Sequence, residues 1–494
     1  MIPIITSTRI VLVMLAPVLL CLGAQNTSSP AKNGHPEHKD TPRLLGSPYY
    51  SVEDHLKATL MLSNQGPHEM PITVSLFSIS GERFDAPRFT LEGNEVKSVD
   101  VQDWIDRAGS TFREGSIQVS FSGKRLELGG LVTLVDDVHS LVFEQELNEP
   151  SKDFRSSSLE GVWWLPSEQC TVQLAVVNTS DSRVRATVAV GQQRSEHLLL
   201  KAHEARVLTL ENAFRKDERR LSKVGGVSVQ YIGDPGAVSA VGFIREPKTG
   251  YSNVIEFADP QTMKASRLDG AGLRIGTIAG EELIQRAVVR NVGSAPTTVK
   301  GQIPYTLTNG TTAAAVLQDL FLLPGEAKEV DVHHAVLQIP GRENVTAAGL
   351  EFTYNTDPGT VIASAVSLSP SGTHVFRLPL RDPNVQSSST GNYPWSIDEN
   401  SSTVVYIKNT TDSAKRFTMY VASSGSSYVV GAKTIDAHQT LAFDLRQIRD
   451  GHVPDAHGQE MPSTASSGRF IGRCRGHSQR RSSAARSNRI LQRD

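Results

Sequence analysis

Few residues in this chain have the type and spacing that chemistry needs. His333 and His334 are adjacent. On a strand, neighbouring side chains point to opposite faces, so this pair cannot share a metal. His35 and His38, in "HPEHKD", could pick up metal weakly, but they lie in a polar stretch that reads as solvated linker. The acid pairs Asp136–Asp137 and Glu281–Glu282 offer oxygen ligands for calcium or groups for acid–base work. Neither belongs to a loop of the Asp-x-Asp-x-Asp-Gly kind, so both read as solvated turns. No nucleophile elbow, Walker loop, dinucleotide fingerprint or HExxH occurs, and the glycines of "LDGAGLRIG" read as linker turns. No catalytic residue, cofactor or metal site follows from these patterns.

Aromatic pairs are the sharper candidates. Trp163 and Trp164 lie 15 and 14 residues before Asn178, Tyr49 and Tyr50 the same distances before Asn64, and Trp395 lies 14 before Asn409. Such rings could cap a domain or seal a junction, or they could present flat faces to sugar rings or partner side chains. Capping or junction packing is the commoner use, and exposed rings on a shared face would mark the sugar-binding alternative.

The elements that must position these residues announce themselves by repetition. The phrases "LMLSNQGPHEMPITVSL", "LAVVNTSDSRVRATVAV", "AVVRNVGSAPTTVKGQI" and "VYIKNTTDSAKRFTMYV" share one grammar, and their asparagines Asn64, Asn178, Asn291 and Asn409 are 114, 113 and 118 residues apart. That period is too long for a solenoid unit and fits complete domains. Alternating apolar residues on both sides of each Asn indicate two strands, and the Asn with the small polar residues after it makes an Asx-type turn. Pro304, which cannot donate to a ladder, places its strand at a sheet edge. A second phrase, such as "LKAHEARVLTL" or "LLPGEAKEVDV", indicates a hairpin-like corner, with His203 and His438 at matching structural positions. In "GDPGAV" and "TDPGTV", Pro and Gly set a tight hairpin. Short helices are expected at "VQDWIDRAG" and "LENAFRKDERRL". About seven short strands per repeat predict an all-β chain of tandem antiparallel immunoglobulin-like β-sandwiches, the last one incomplete.

The expected divisions are a signal peptide over 1–24, a polar linker over 25–46, β-sandwich repeats over 47–148, 149–262 and 263–383, and a partial repeat over 384–450. A disordered basic tail over 451–494 follows. The N-terminal run Ile10–Leu22 follows Arg9, is shorter than a membrane span and is interrupted by Pro17, which reads as a cleaved export signal rather than an anchor. Leu20 stands where lipid attachment at Cys21 would need a small residue. Cys170 and Cys474 form no disulfide framework, so the domains must hold by core burial alone.

The net charge of -2 hides an uneven distribution: from Arg469 onward there are eight Arg and one acid, leaving a mildly acidic body with no electrostatic reason to bind nucleic acid. In the fourth repeat the grammar stops after "IDAHQTLAFDLRQIRDG", and the Arg- and Ser-rich "SGRFIGRCRG" takes the place of a core strand pair. One set of codons for that peptide, read from the last base of its Ser codon, spells "GQVHWSVPW", so the tail reads as a frameshift product. Six Asn-x-Ser/Thr sequons occur, but Asn178 and Asn409 among them are already explained by the turn.

Together "VVNTSDS", "LLPGEAKEVDV" and "YNTDPGTVIASAV" resemble the immunoglobulin-like, cell-adhesion-related and fibronectin-like modules of bacterial secreted proteins, over about residues 47–450. That resemblance implies a spacer, adhesive or ligand-binding unit and brings no catalytic residues. The expected function is an exported, non-enzymatic scaffold or adhesion module, extracellular, cell-surface or periplasmic, whose partner is a polysaccharide or another surface protein. The alternatives are a carbohydrate-binding protein using exposed aromatic pairs and, ranked lower, an enzyme with a site at a domain junction.

Overall fold

The computed structural model describes residues 19–20, 42–124, 127–149, 153–191, 194–210, 221–385, 390–397, 402–423 and 426–475. The chain is all-β, a tandem series of antiparallel β-sandwiches. The second repeat shows the plan. Its strands are Ser158–Trp164, Thr171–Asn178, Val184–Val190, Arg194–Leu200, Ala205–Thr209, Val224–Ile232, Val238–Glu246 and Tyr251–Glu256. One sheet runs first–sixth–third–fourth, and the other fifth–second–seventh–eighth. The first and third repeats follow the same order, with two short strands sharing the fourth place. It is a variant of the immunoglobulin sandwich, in which the first strand would lie beside the second.

Alternation builds these layers. In Thr171–Asn178, Val172, Leu174 and Val176 face the repeat's own core and are fully buried. The Asp-Pro-Gly hairpins place Gly236 and Gly359 at φ 82° and 83°, where a side chain would be strained. Each glycine N–H donates to the hydroxyl of the tyrosine five residues before it, Tyr231 at 2.9 Å and Tyr354 at 3.1 Å.

Several expectations need correction. Val332–Leu337 is a helix capped by Asp331, so His333 and His334 sit on a helix and not on a strand. His333 Nδ1 meets Gln285 Oε1 at 2.9 Å, and burial lowers its pKa. Pro304 is in an interior strand, Thr297–Leu307, with neighbours on both sides; the ladder to Val345–Tyr354 skips residues 303 and 304, which accommodates the missing N–H. The first strand begins at Arg43, inside the segment expected to be linker. The helix Gln102–Ala108 forms where expected, whereas residues 211–220 of the second expected helix lie outside the described residues.

The largest correction concerns the fourth repeat. Ser467–Arg475, inside the segment expected to be a disordered tail, is a strand. It pairs with Thr390–Ser396 on one side and Lys415–Ser423 on the other, in the sixth-strand place. Phe470 is buried in the core with Trp395 and Phe417, so one large residue between Gly468 and Gly472 suffices where dense Arg and Ser had argued against a strand. Among the described residues this repeat has no seventh or eighth strand. The signal segment, apart from Leu19 and Leu20, and residues 476–494 lie outside the described residues.

Candidate functional site

The four motif asparagines are fully buried, and each does the same structural work. Their Oδ1 atoms accept the N–H two residues on, from Gly66, Ser180, Gly293 and Thr411, at 2.9–3.1 Å. Their Nδ2 atoms donate to the carbonyls four residues on, of His68, Ser182, Ala295 and Ser413, at 2.6–2.8 Å. The same amides also donate to carbonyls at the end of the fourth strand, such as Lys201 and Asp436. Each Asn N–H in turn donates to the corner phrase, to the carbonyls of Glu95, Glu204, Glu326 and Gln439. Those four side chains fold back on their own corners, accepting N–H groups from Glu92, Lys201, Leu323 and Asp436 at 2.7–2.8 Å. The residue before each has positive φ: Asn94, His203, Gly325 and His438. The two recurring phrases are therefore one hydrogen-bonded joint. With their amides committed, Asn178 and Asn409 cannot carry a sugar in the folded chain.

The aromatic residues are also inside. Tyr49, Tyr50, Trp163, Trp164 and Trp395 are each 7% exposed or less, which removes the exposed faces that the sugar-binding alternative required. Tyr49 packs 5.3 Å from Phe243 of the next repeat, and its hydroxyl donates to Glu114. Tyr50 donates to the Phe112 carbonyl. Trp163 lies over Gly225, where a Cβ would come within 2.2 Å of the ring, and donates to the Ser222 carbonyl. Lys223 Nζ is 5.3 Å from the Trp164 ring. The void bordered by the two tryptophans measures about 10 Å³, far too small for a sugar ring. Trp395 belongs to the core of its own repeat.

What lies between repeats is more informative. Immediately before the third and fourth asparagines stand Arg290 and Lys408, and both side chains leave their own sandwich to enter the preceding one. Arg290 Nη1 pairs with Glu160 Oε2 at 2.9 Å and donates to the carbonyls of Gly161 and Val227; Gly226 makes the room, since a Cβ there would lie 2.3 Å from Arg290. Burial pushes the Glu160 pKa up against the pull of Arg290. Lys408, fully buried, reaches Glu351 at 2.8 Å and Asp269 at 3.4 Å. Arg267 bridges the same carboxylates at 2.9 and 3.3 Å, and Gln302 donates to Glu351. Arg267 also donates to His438 Nδ1, leaving Nε2 to donate to Asp412 at 2.9 Å. Burial alone would raise the Glu351 pKa; Lys408 and Arg267 outweigh it and hold it at about 2.

Glu160 and Asp269 occupy the same place, third in the first strand of their repeats, each in a bridge to that repeat's closing segment. The corresponding bridge residue of the first repeat is Gly46, and the residue before Asn178 is Val177. Acid and cation thus occur together at two junctions and are both replaced at the third, which is apolar: Phe243, Tyr49 and Phe143 meet there, and His203 stacks 4.2 Å from Phe77. Sequence reading passed over Arg290 and Lys408, although a charge on the outward face of a strand whose neighbouring outward residues, Val288 and Tyr406, are apolar was the available signal.

A second ionisable cluster lies where closing strands of the first three repeats converge. Arg377 meets Glu256 at 2.9 Å, and Arg381 meets Glu146 at 3.2 Å and Glu256 at 3.4 Å. Glu144, facing them from Leu141–Glu146, has its buried Oε1 without a hydrogen-bond partner. Burial pushes its pKa up to about 7, with Arg377 opposing and Glu146 assisting. Because the folded value lies above the usual carboxylate value, the protonated form favours folding, and the contribution fades as pH rises from about 4.5 through about 7. Thermal melts of the wild type are expected to lose stability over that window, and Glu144→Gln to flatten the loss.

The other acid pairs were expected to be solvated turns, but Asp136 is buried at the end of a strand and Glu281–Glu282 is a short strand paired with Thr277–Ile278. Asp136 accepts from Val138 and His139, Asp137 pairs with Lys57, Glu281 accepts from Ser371, and Glu282 pairs with Arg342. Among the described residues no group of three or more His, Cys, Asp or Glu could hold a metal, and no described helix is long and apolar enough to cross a membrane. His35 and His38 lie outside the described residues. No protein-family model matches the chain, and no curated protein matches it.

Proposed function

We propose that the protein is an exported, non-enzymatic scaffold or adhesion module, a rigid array of immunoglobulin-like sandwiches that presents or spaces a contact to another surface protein. The observation that carries this reading is the repeated junction. Independent domains are joined by contacts that leave them free to move, whereas here a side chain from each of the third and fourth repeats is sunk into the one before it, with Arg290 and Lys408 neutralised in place. Such a junction spends stability on fixing geometry, which is the property a spacer needs. The apolar N-terminal run supports export.

The test is binding and shape together. Tryptophan emission of the full chain is expected to be blue-shifted and unchanged by a panel of cell-wall and plant polysaccharides, and small-angle scattering to fit a single rigid particle. A saturable emission change lost in Trp163→Phe would restore the carbohydrate-binding reading and overturn this one. The enzyme alternative has one observation in its favour, the ionisable cluster in which burial raises the Glu144 pKa while Arg377 and Arg381 lower that of Glu256 against burial. Hydrolysis of any polysaccharide in the same panel, lost in Glu144→Gln, would select it.

A further inference from the structure

In the three complete repeats the second strand is interior, paired with the fifth strand along one edge and the seventh along the other. In the fourth repeat Val404–Lys408 keeps its fifth-strand neighbour, Thr440–Asp444, but has no seventh strand among the described residues. Both faces of this strand are already committed. Val405 and Ile407 are fully buried in the core, Tyr406 lies against Gly272 of the third repeat, and Lys408 fills the junction. A strand held on both faces and open along one edge offers its N–H and C=O groups as a template for another strand.

One segment of the chain is seated there. Leu19 and Leu20 pair in parallel with Ile407 and Lys408, in the lane that the seventh strand occupies elsewhere. The segments that fill this lane in the second and third repeats, "VSAVGFIRE" and "VIASAVSL", are largely apolar and free of proline. The stretch "VLLCL" after Pro17 has the same character. A strand arriving from the far end of the chain is free of the hairpin that makes the seventh strand antiparallel. We propose that the fourth sandwich is a strand acceptor whose occupant is the chain's own apolar N-terminal stretch around Leu19 and Leu20. The inference concerns the chain that keeps its N-terminus and does not depend on export.

Disulfide trapping tests it in the full-length chain with Cys21, Cys170 and Cys474 changed to Ser. Leu19→Cys combined with Ile407→Cys, a paired register, is expected to close an intramolecular disulfide under mild oxidation, while Gly23→Cys with Ile407→Cys stays reduced. Equal closure of both pairs, no closure, or closure only between molecules would overturn the proposal. Because Ile407→Cys could unsettle the core, hydrogen exchange of the unsubstituted protein gives a second measurement. Amides of Val404–Lys408 are expected to exchange roughly tenfold faster or more in a chain beginning at Gln25 than in the full chain. Equal rates would overturn it.

Discussion

Lys408→Ala is expected to cost about 3–5 kcal/mol, because it leaves Asp269 and Glu351 in a dry junction with only Arg267 to balance two negative charges. The loss should appear in denaturant unfolding as an early transition of the fourth repeat, since the fully buried ammonium ties that repeat to Glu351 of the third. The charge-balanced pair Lys408→Met with Asp269→Asn should recover most of it, as replacing a buried ion pair by neutral groups is often close to cost-free. A double variant as unstable as Lys408→Ala would show that packing volume, not charge, holds the junction. Acid provides an independent check. Glu351 is held at about 2, below the usual carboxylate value, so its contribution is present above about 4.5 and is lost as pH falls towards 2. In Lys408→Ala this acid sensitivity should shrink, because the cation that lowers the Glu351 pKa most is gone.

Asn178→Ala is expected to destabilise the second repeat by about 2–4 kcal/mol, since each buried carbonyl left without a donor costs on the order of 1–3 kcal/mol. The side chain donates to Ser182 and Lys201 and accepts from Ser180, and alanine can do none of this. Asn178→Asp should be worse, for it keeps the acceptor but turns a carboxylate oxygen towards those carbonyls. Asn309→Ala provides the contrast: its turn is exposed, and the cost should stay below about 1 kcal/mol. Chemical denaturation of the three variants decides the matter, and a cost for Asn178→Ala no greater than for Asn309→Ala would mean that water satisfies the joint.

The two cases differ in how legible they were. The asparagine joint could be read from the chain because everything it needs is local or repeated: a turn residue, strands of period two around it, and the same phrase at a fixed interval. Reading the fourth repeat failed for a related reason. Composition argued against a strand at "SGRFIGRCR", but a sixth strand needs only one inward face, and Gly468, Phe470 and Gly472 supply it. His333 and His334 were misplaced because the Asp331 cap, which turns the chain into a helix, outweighs the alternation that precedes it.

By itself the sequence determined that this is an all-β chain of repeated sandwiches, where its turns fall, and which asparagines bind them, because strand alternation and turn chemistry act over a few residues. The tertiary structure alone decided what lies between repeats. Whether the side chain before each Asn meets water, an apolar surface or an acid depends on which face of the preceding sandwich lies opposite. Residues 130 to 139 positions apart settle that, and no local period records it. Gly46 with Val177, Glu160 with Arg290, and Asp269 with Lys408 are matched across those distances because an unpaired charge in a dry junction is too costly to keep.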